Sequence, residues 1–261
     1  CIPQQWGAYR VALPQAWETT QGSTDIVTAV IDGGIAVGHP ELAGRFWSNR
    51  REIPGNRLDD DQNGYIDDGE GYDFCGDNVG AEGEDPTSED NRSDIAFDSS
   101  ERLDSHGTWV AGIMAAHVDD HRGGAGMDWY GKIMNVRAGN SAGTAFNVDL
   151  VDALYYALEN GADVIYFAYG SVENDRAVAE AVREVARQNV AIIAPVGNRA
   201  KRGVDYPAAM ETPAGLIGVA ASDEEDRLAS FSSFGTGVDL MAPGIRIWGP
   251  AIRKETSSSE G

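Results

Sequence analysis

An α/β architecture, with a doubly wound and mostly parallel sheet flanked by helices, is what this sequence predicts. Three observations carry the prediction. Short apolar runs rich in β-branched residues recur along the chain, as in Asp25–Ile31 and Val190–Ala194, and such runs read as strands buried on both faces. Stretches of helical length and amphipathic pattern alternate with them, which calls for right-handed crossovers between parallel strands. Several runs end on a polar residue beside glycine, as at Asp32-Gly-Gly34 and Gly197-Asn198, and the carboxyl ends of strands are where open α/β sheets place their sites.

Taken in order, residues 1–22 form a lead-in that Trp6 and Trp17 can pin to the body. Residues 25–31 form the first strand, ending at Asp32. Alone, that aspartate reads equally as a site carboxylate or as a turn-capping residue. Residues 45–104 form a long, acidic, Gly-rich insertion with little periodicity. Residues 106–116 form a tightly buried helix of small and apolar residues. Residues 131–136 form a strand, 147–160 a helix closed by Gly161, 163–167 a strand, 174–188 a helix, 190–194 a strand, and 216–221 a further strand.

The 261 residues, 42% of them hydrophobic, suit one large domain. A net charge of -22, from 42 acidic and 20 basic residues, argues against nucleic acid as a partner because phosphates would be repelled. No stretch reaches the ~18 uninterrupted apolar residues of a membrane span. Lysine occurs only at 132, 201 and 254, and an acid-rich, Lys-poor surface suits salty or extracellular settings. Cys1 and Cys75 allow a disulfide tying the N-terminus to the insertion; lipid modification of Cys1 is the other reading.

Within the insertion, Asp59, Asp61, Asn63, Tyr65, Asp67 and Glu70 fall at the first, third, fifth, seventh, ninth and twelfth positions of a calcium-loop template, with Gly64 at the sharp turn. Calcium takes six to eight hard oxygens, and this spacing can wrap them around one point, with Tyr65 offering its carbonyl. The flanks are not helical, so an isolated calcium loop is expected. The acids from Glu82 to Asp104 fit no template and read as a solvated loop. His117 and His121, four apart near the end of a helix, lack a third metal ligand.

His106 sits where a polar loop delivers it to the start of a buried helix, a rigid mount for a general base. With Asp32 and Asn198 it makes three polar groups at the ends of buried elements, which one sheet can bring to one edge. On these residues the chain resembles the subtilisin-like serine proteases. Val30-Ile-Asp-Gly-Gly-Ile35 with His39-Pro-Glu-Leu42 resembles the aspartate block, His106-Gly-Thr-Trp-Val-Ala-Gly112 the histidine block, and Ala194-Pro-Val-Gly-Asn198 the oxyanion block. Tyr206-Pro-Ala208, Ala229–Gly235 and Met241-Ala-Pro-Gly244 follow in the family's order.

The resemblance implies a subtilisin-like fold and a serine endopeptidase. His106 would be the general base, Asp32 would orient its imidazole, and Asn198 would donate to the oxyanion, a role worth roughly 3–4 kcal/mol in such sites. Ala168, Tyr169 and Gly170 would hydrogen-bond an extended peptide by strand addition, and with Pro195, Val196 and Gly197 would wall the first specificity pocket. The chain departs from the family pattern at Gly33, Ala168 and Pro195. It also ends, at Gly261, before any Gly-Thr-Ser-Met-Ala block. Ser257–Ser259 lie in a polar tail with no helix behind them, and Ser232 and Ser233 belong to another block. The nucleophile is therefore expected on a C-terminal segment outside this chain, bound as a fragment of the same precursor or removed from it. The expected partner is a peptide or protein substrate, the expected cofactor calcium, and the expected setting extracellular. The alternative is a catalytically inactive relative that binds peptides or a protease.

Overall fold

The computed structural model describes residues 4–75, 106–121, 123–139, 143–211 and 215–250. Two short helices, α1 (Trp6–Arg10) and α2 (Leu13–Trp17), make up the lead-in. The two tryptophans do pin it: Trp6 Nε1 donates to the Ile245 carbonyl at 2.9 Å and Trp17 Nε1 to that of Met127 at 2.8 Å. Then follow β1 (Val27–Asp32), a 3₁₀ turn at Pro40–Leu42, β2 (Gly71–Asp73), α3 (His106–Ala115), β3 (Lys132–Arg137), α4 (Asn147–Glu159), β4 (Val164–Phe167), α5 (Arg176–Arg187), β5 (Ala191–Pro195), β6 (Leu216–Ser222) and β7 (Leu240–Pro243).

Seven strands form one sheet in the order β2-β3-β1-β4-β5-β6-β7, and every pairing is parallel. The order reverses direction at β1, so the sheet is doubly wound as the alternating pattern predicts. The helices α4 and α5 cover one face, where Leu154, Tyr156, Val182 and Val185 pack on Ile31, Met134, Ile165 and Ile192. The helix α3 covers the opposite face, where Val110, Ala111 and Ala115 pack on Val30 and Ile133. Further along that face, Tyr166, Ile193, Val219 and Ala221 line a cavity of about 220 Å³ with Asn198 and Pro243.

Two strands appear that periodicity does not reveal. The three-residue β2 lies inside the acidic insertion, at the sheet edge, too short to show alternation. The edge strand β7 carries a proline at its last residue and leaves Leu240 and Met241 exposed, which weakens its apolar signature; proline is tolerated at an edge because no ladder donor is needed there. The acids expected as a solvated loop at Glu82–Asp104, and Ser257–Ser259, lie outside the described residues, as does Cys1, so its pairing with Cys75 is not described.

The site edge depends on how closely α3 approaches β1. A methyl group placed on Gly107 would sit 2.3 Å from the Gly34 carbonyl oxygen and 3.3 Å from Asp32 Cβ. Gly34 itself has φ +97°, a conformation other residues adopt only with strain. One residue on, the buried Thr108 hydroxyl accepts the Ala36 N–H at 2.9 Å, locking the β1 exit to the first turn of α3. Replacing Gly107 by alanine is expected to push the helix from the strand and to cost about 1–3 kcal/mol as an overpacked contact. Urea unfolding measures this, and a Gly107→Ala protein as stable as its parent refutes the packing described.

Candidate active site

Asp32 is the last residue of β1 and His106 the first of α3. They are 74 positions apart, and His106 Nδ1 lies 2.7 Å from Asp32 Oδ2. The carboxylate is buried, its side chain 5% exposed, while the imidazole is half exposed at 50%. Asp32 Oδ1 accepts the Gly33 N–H at 2.7 Å, and the Asp32 carbonyl accepts from the N–H groups of Ala138 and Gly139. The backbone is thus held from β3 and the carboxylate from its own turn. With Asp32 ionised, Nδ1 carries the proton, which makes Nε2 the nitrogen that can take one from a substrate or nucleophile. Trp109 lies one turn on, its ring centroid 6.4 Å from that of His106. On β4, Tyr166 is held well above the usual phenol range, first by burial and then by the charge of Asp32, so it stays neutral beside the carboxylate.

Asn198 follows β5, two strands from β1 in the sheet order and at the same carboxyl edge. It is exposed and borders the 220 Å³ cavity with Pro195, Val196 and Gly197. Ala168, Tyr169 and Gly170 follow β4, between those two strands. The Ala168 N–H is taken by the Ile31 carbonyl at 3.1 Å, and Tyr169 and Gly170 border a second cavity of about 290 Å³ with Phe167, Leu150 and Met210. The structure therefore joins Asp32 to His106 by direct contact and sets the 168–170 and 195–198 segments on adjacent strand ends.

Two described serines are used structurally. Ser232 is buried, its hydroxyl accepting the Ala221 N–H and donating to the Ser233 carbonyl, both at 3.1 Å. Ser233 is fully buried and accepts the Arg199 N–H at 3.4 Å.

The acidic loop differs in detail from its template. Oxygens of Glu52, Asp61 and Asp68 all lie within 4.8 Å of one another. Only Asp61 belongs to the template set. The template makes Asp67 a ligand, but its carboxylate instead accepts the N–H groups of Gly55, Asn56 and Arg57. Asp59 likewise accepts from the N–H groups of Asn63 and Gly64, and Asn63 holds Asp68 through its side-chain amide at 3.0 Å. Glu70 is exposed. A template drawn for a loop between two helices misses Glu52 and Asp68, because here the chain enters and leaves through turns. Burial pushes Glu52 upward, and it pushes Asp68 upward against the bonds from Asn49, Asn63 and Tyr156. Three buried carboxylates at one point suit a hard divalent cation. His117 bonds the Ala43 carbonyl at 2.8 Å and joins no such cluster among the described residues.

A model of the subtilase family matches residues 23–260. The chain is 32% identical over 93% of its length to a thermophilic serine proteinase of Bacillus sp. strain AK1, covering 50% of that protein. It is 28% identical over 94% of its length to thermitase of Thermoactinomyces vulgaris, covering 72% of it. It is 28% identical over 92% of its length to a halolysin-like extracellular serine protease of Natrialba magadii, covering 38% of it. The chain thus spans half or less of two of these relatives. No described helix is long and apolar enough to cross a membrane.

Cys75 lies close to this edge, its thiol 3.2 Å from the Gly139 carbonyl. Burial, aided by Asp73, pushes it up to about 12. At pH 8 such a thiol is ionised about a thousandfold less than an ordinary cysteine, and the thiolate is the species that alkylates. Iodoacetamide at pH 8 is expected to spare Cys75 in the native protein and to modify it after denaturation and reduction. Peptide mapping checks this, and rapid native alkylation at Cys75 contradicts the burial.

Proposed function

The chain belongs to the subtilase family, and from that premise we propose that it forms the catalytic body of an extracellular, calcium-stabilised serine endopeptidase. One observation carries the reading: the 2.7 Å contact between His106 Nδ1 and a buried Asp32 at the carboxyl edge of the sheet. A peptide-binding protein has no use for an imidazole mounted rigidly on a carboxylate. A general base does, because its tautomer and direction must be fixed before the proton moves.

In this reading His106 takes the proton of a serine hydroxyl and returns it to the leaving amine. Asp32 holds the ring and offsets the imidazolium charge. Asn198 directs its side-chain amide at the oxyanion. The 168–170 segment pairs with the substrate as an added strand, and Pro195, Val196 and Gly197 form the facing wall. The serine is assigned to polypeptide beyond residue 261, bound as a C-terminal fragment of the same precursor. The engaged hydroxyls of Ser232 and Ser233 support placing it elsewhere than on those two. An extracellular setting agrees with the acidic, Lys-poor composition and with the Natrialba relative.

Calcium is assigned to the acidic loop, with Glu52, Asp61 and Asp68 as the carboxylates that hold it. Asn63, the Tyr65 carbonyl and Glu70 remain the template's further oxygens, and the carboxylates of Asp59 and Asp67, which accept backbone N–H groups, brace the loop around them. The ion supplies charge neutralisation and no chemistry.

Two measurements test the reading. In the full-length polypeptide, His106→Ala is expected to lower peptide hydrolysis by at least about a thousandfold with the circular dichroism spectrum unchanged; undiminished hydrolysis removes His106 from the mechanism. Chelation by EDTA is expected to lower the melting temperature by roughly 5–10 °C, the effect of removing a ligand held at about a hundred times its dissociation constant. Calcium is expected to restore it and magnesium to do so poorly, whereas a melt indifferent to EDTA leaves the loop without its ion.

A further inference from the structure

We propose that Asp205 is the selectivity residue of the first specificity pocket and that it directs the protein to peptides with arginine or lysine on the acyl side of the cleaved bond. This inference rests on the peptidase reading for its pocket walls. The two walls end in glycines, Gly170 after β4 and Gly197 after β5, and Asp205 lies against both. A methyl group placed on Gly197 would sit 2.3 Å from Asp205 Oδ2, and one on Gly170 would sit 3.6 Å from the same oxygen and 3.3 Å from Asp205 Cβ. One carboxylate oxygen is therefore set between the two wall backbones, where neither wall has a side chain to cover it.

The segment that carries Asp205 is tied to both walls. The Asp205 N–H donates to the Val196 carbonyl at 3.0 Å, and Ser171 and Tyr206 exchange backbone bonds at 2.9 and 2.8 Å. This makes residues 205–206 the floor that closes the space between the strand ends. The residue is 6% exposed, so its charge is largely out of water and demands a cation. Within the chain that cation is Arg199, which pairs with Asp205 through the other oxygen, Oδ1. Arg199 follows Asn198 directly, and its side chain is 35% exposed, so it reaches in from the rim and can return to solvent. A substrate guanidinium or ammonium entering between the glycines meets Oδ2 and takes over the charge that Arg199 offsets in the empty pocket.

The test uses binding, which needs no turnover. Fluorescein-labelled Ala-Ala-Pro-X peptides with a free carboxylate, X being Arg, Leu or Glu, are titrated with the 261-residue chain and followed by anisotropy. The Arg peptide is expected to bind on the order of a hundredfold tighter than the Leu peptide, as for a desolvated charge pair, and the Glu peptide weakest. Asp205→Asn, which keeps the shape, is expected to bring the Arg and Leu affinities together. Arg199→Gln, which removes the resident cation, is expected to widen the Arg preference severalfold, and it reads the same charge without altering the buried floor. Equal binding of Arg and Leu peptides, preference for Glu, survival of the Arg preference in Asp205→Asn, or no binding by any of the three overturns the inference. Casein hydrolysis by the full-length polypeptide is measured alongside. Hydrolysis with no Arg preference sinks this inference and keeps the peptidase reading, and an Arg preference without hydrolysis does the reverse.

Discussion

The contact between His106 and Asp32 sets conditions that much of the chain exists to meet. A buried carboxylate is costly unless its oxygens are satisfied, and an imidazole on a flexible loop would satisfy one only part of the time. The protein places the carboxylate on the last residue of a central strand and the imidazole on the first residue of a helix, then brings the two backbones to near contact. That approach leaves no room for a Cβ on Gly107, and it requires the chain to leave β1 through Gly33 and a left-handed Gly34. Each glycine gives up conformational entropy on folding. The apolar packing of α3 through Val110, Ala111 and Ala115 is what offsets that loss, so the core of this helix and the geometry of its first residue are one problem.

The sheet order extends this constraint sideways. Because β1 lies between β3 and β4, with β5 next, the ends of β1, β4 and β5 form a continuous edge although their residues are about 160 positions apart along the chain. The acidic loop joins the same frame from the other face. Asp68 accepts the Tyr156 hydroxyl at 2.9 Å, Tyr65 and Phe74 meet the Tyr156 ring edge-on, and Tyr72 lies tilted against it. Tyr156 is on α4, which packs beneath β1 and β3. Whatever neutralises the loop therefore stabilises α4, and through it the strands that hold the site.

Much of this was legible in the sequence because the signals were local. Runs such as Asp25–Ile31 and Val190–Ala194 declare buried parallel strands without any neighbour, and the small-residue helix after His106 can only be buried. The structure adds what depends on distant partners. β2 and β7 are edge strands defined by their hydrogen-bond partners and not by their own pattern. Glu52 lies seven residues before the template's first position and enters the carboxylate cluster only because the chain folds back through turns. Asp205 carries no motif at all. Its place between Gly170 and Gly197 arises because the chain after β5 loops back beneath its own strand end, and nothing in a run of residues announces such a return. A buried acid in a Gly- and Arg-rich loop is the one signal that could have drawn attention to it.

The buried acids divide by the kind of partner they have, and the division says what each can do. Asp73 is paired with Arg137, whose side chain is 2% exposed; both charges are locked in the core, and the pair is structural. Glu52 and Asp68 are met mainly by neutral donors, the N–H groups of Asp60, Asp61 and Asp67 for the one and the side chains of Asn49, Asn63 and Tyr156 for the other. Neutral donors orient a carboxylate without cancelling its charge, so these two retain an attraction for a cation from outside. Asp205 falls between the cases. Its partner is a cation of the chain, but one that stands partly in water, where a guanidinium loses little by leaving. A locked pair holds a core together, a neutral-donor cluster waits for an ion, and a carboxylate held by a retractable arginine can exchange that arginine for another. In a chain with 42 acidic residues and 20 basic ones, how each buried carboxylate is answered decides more about function than the net charge does.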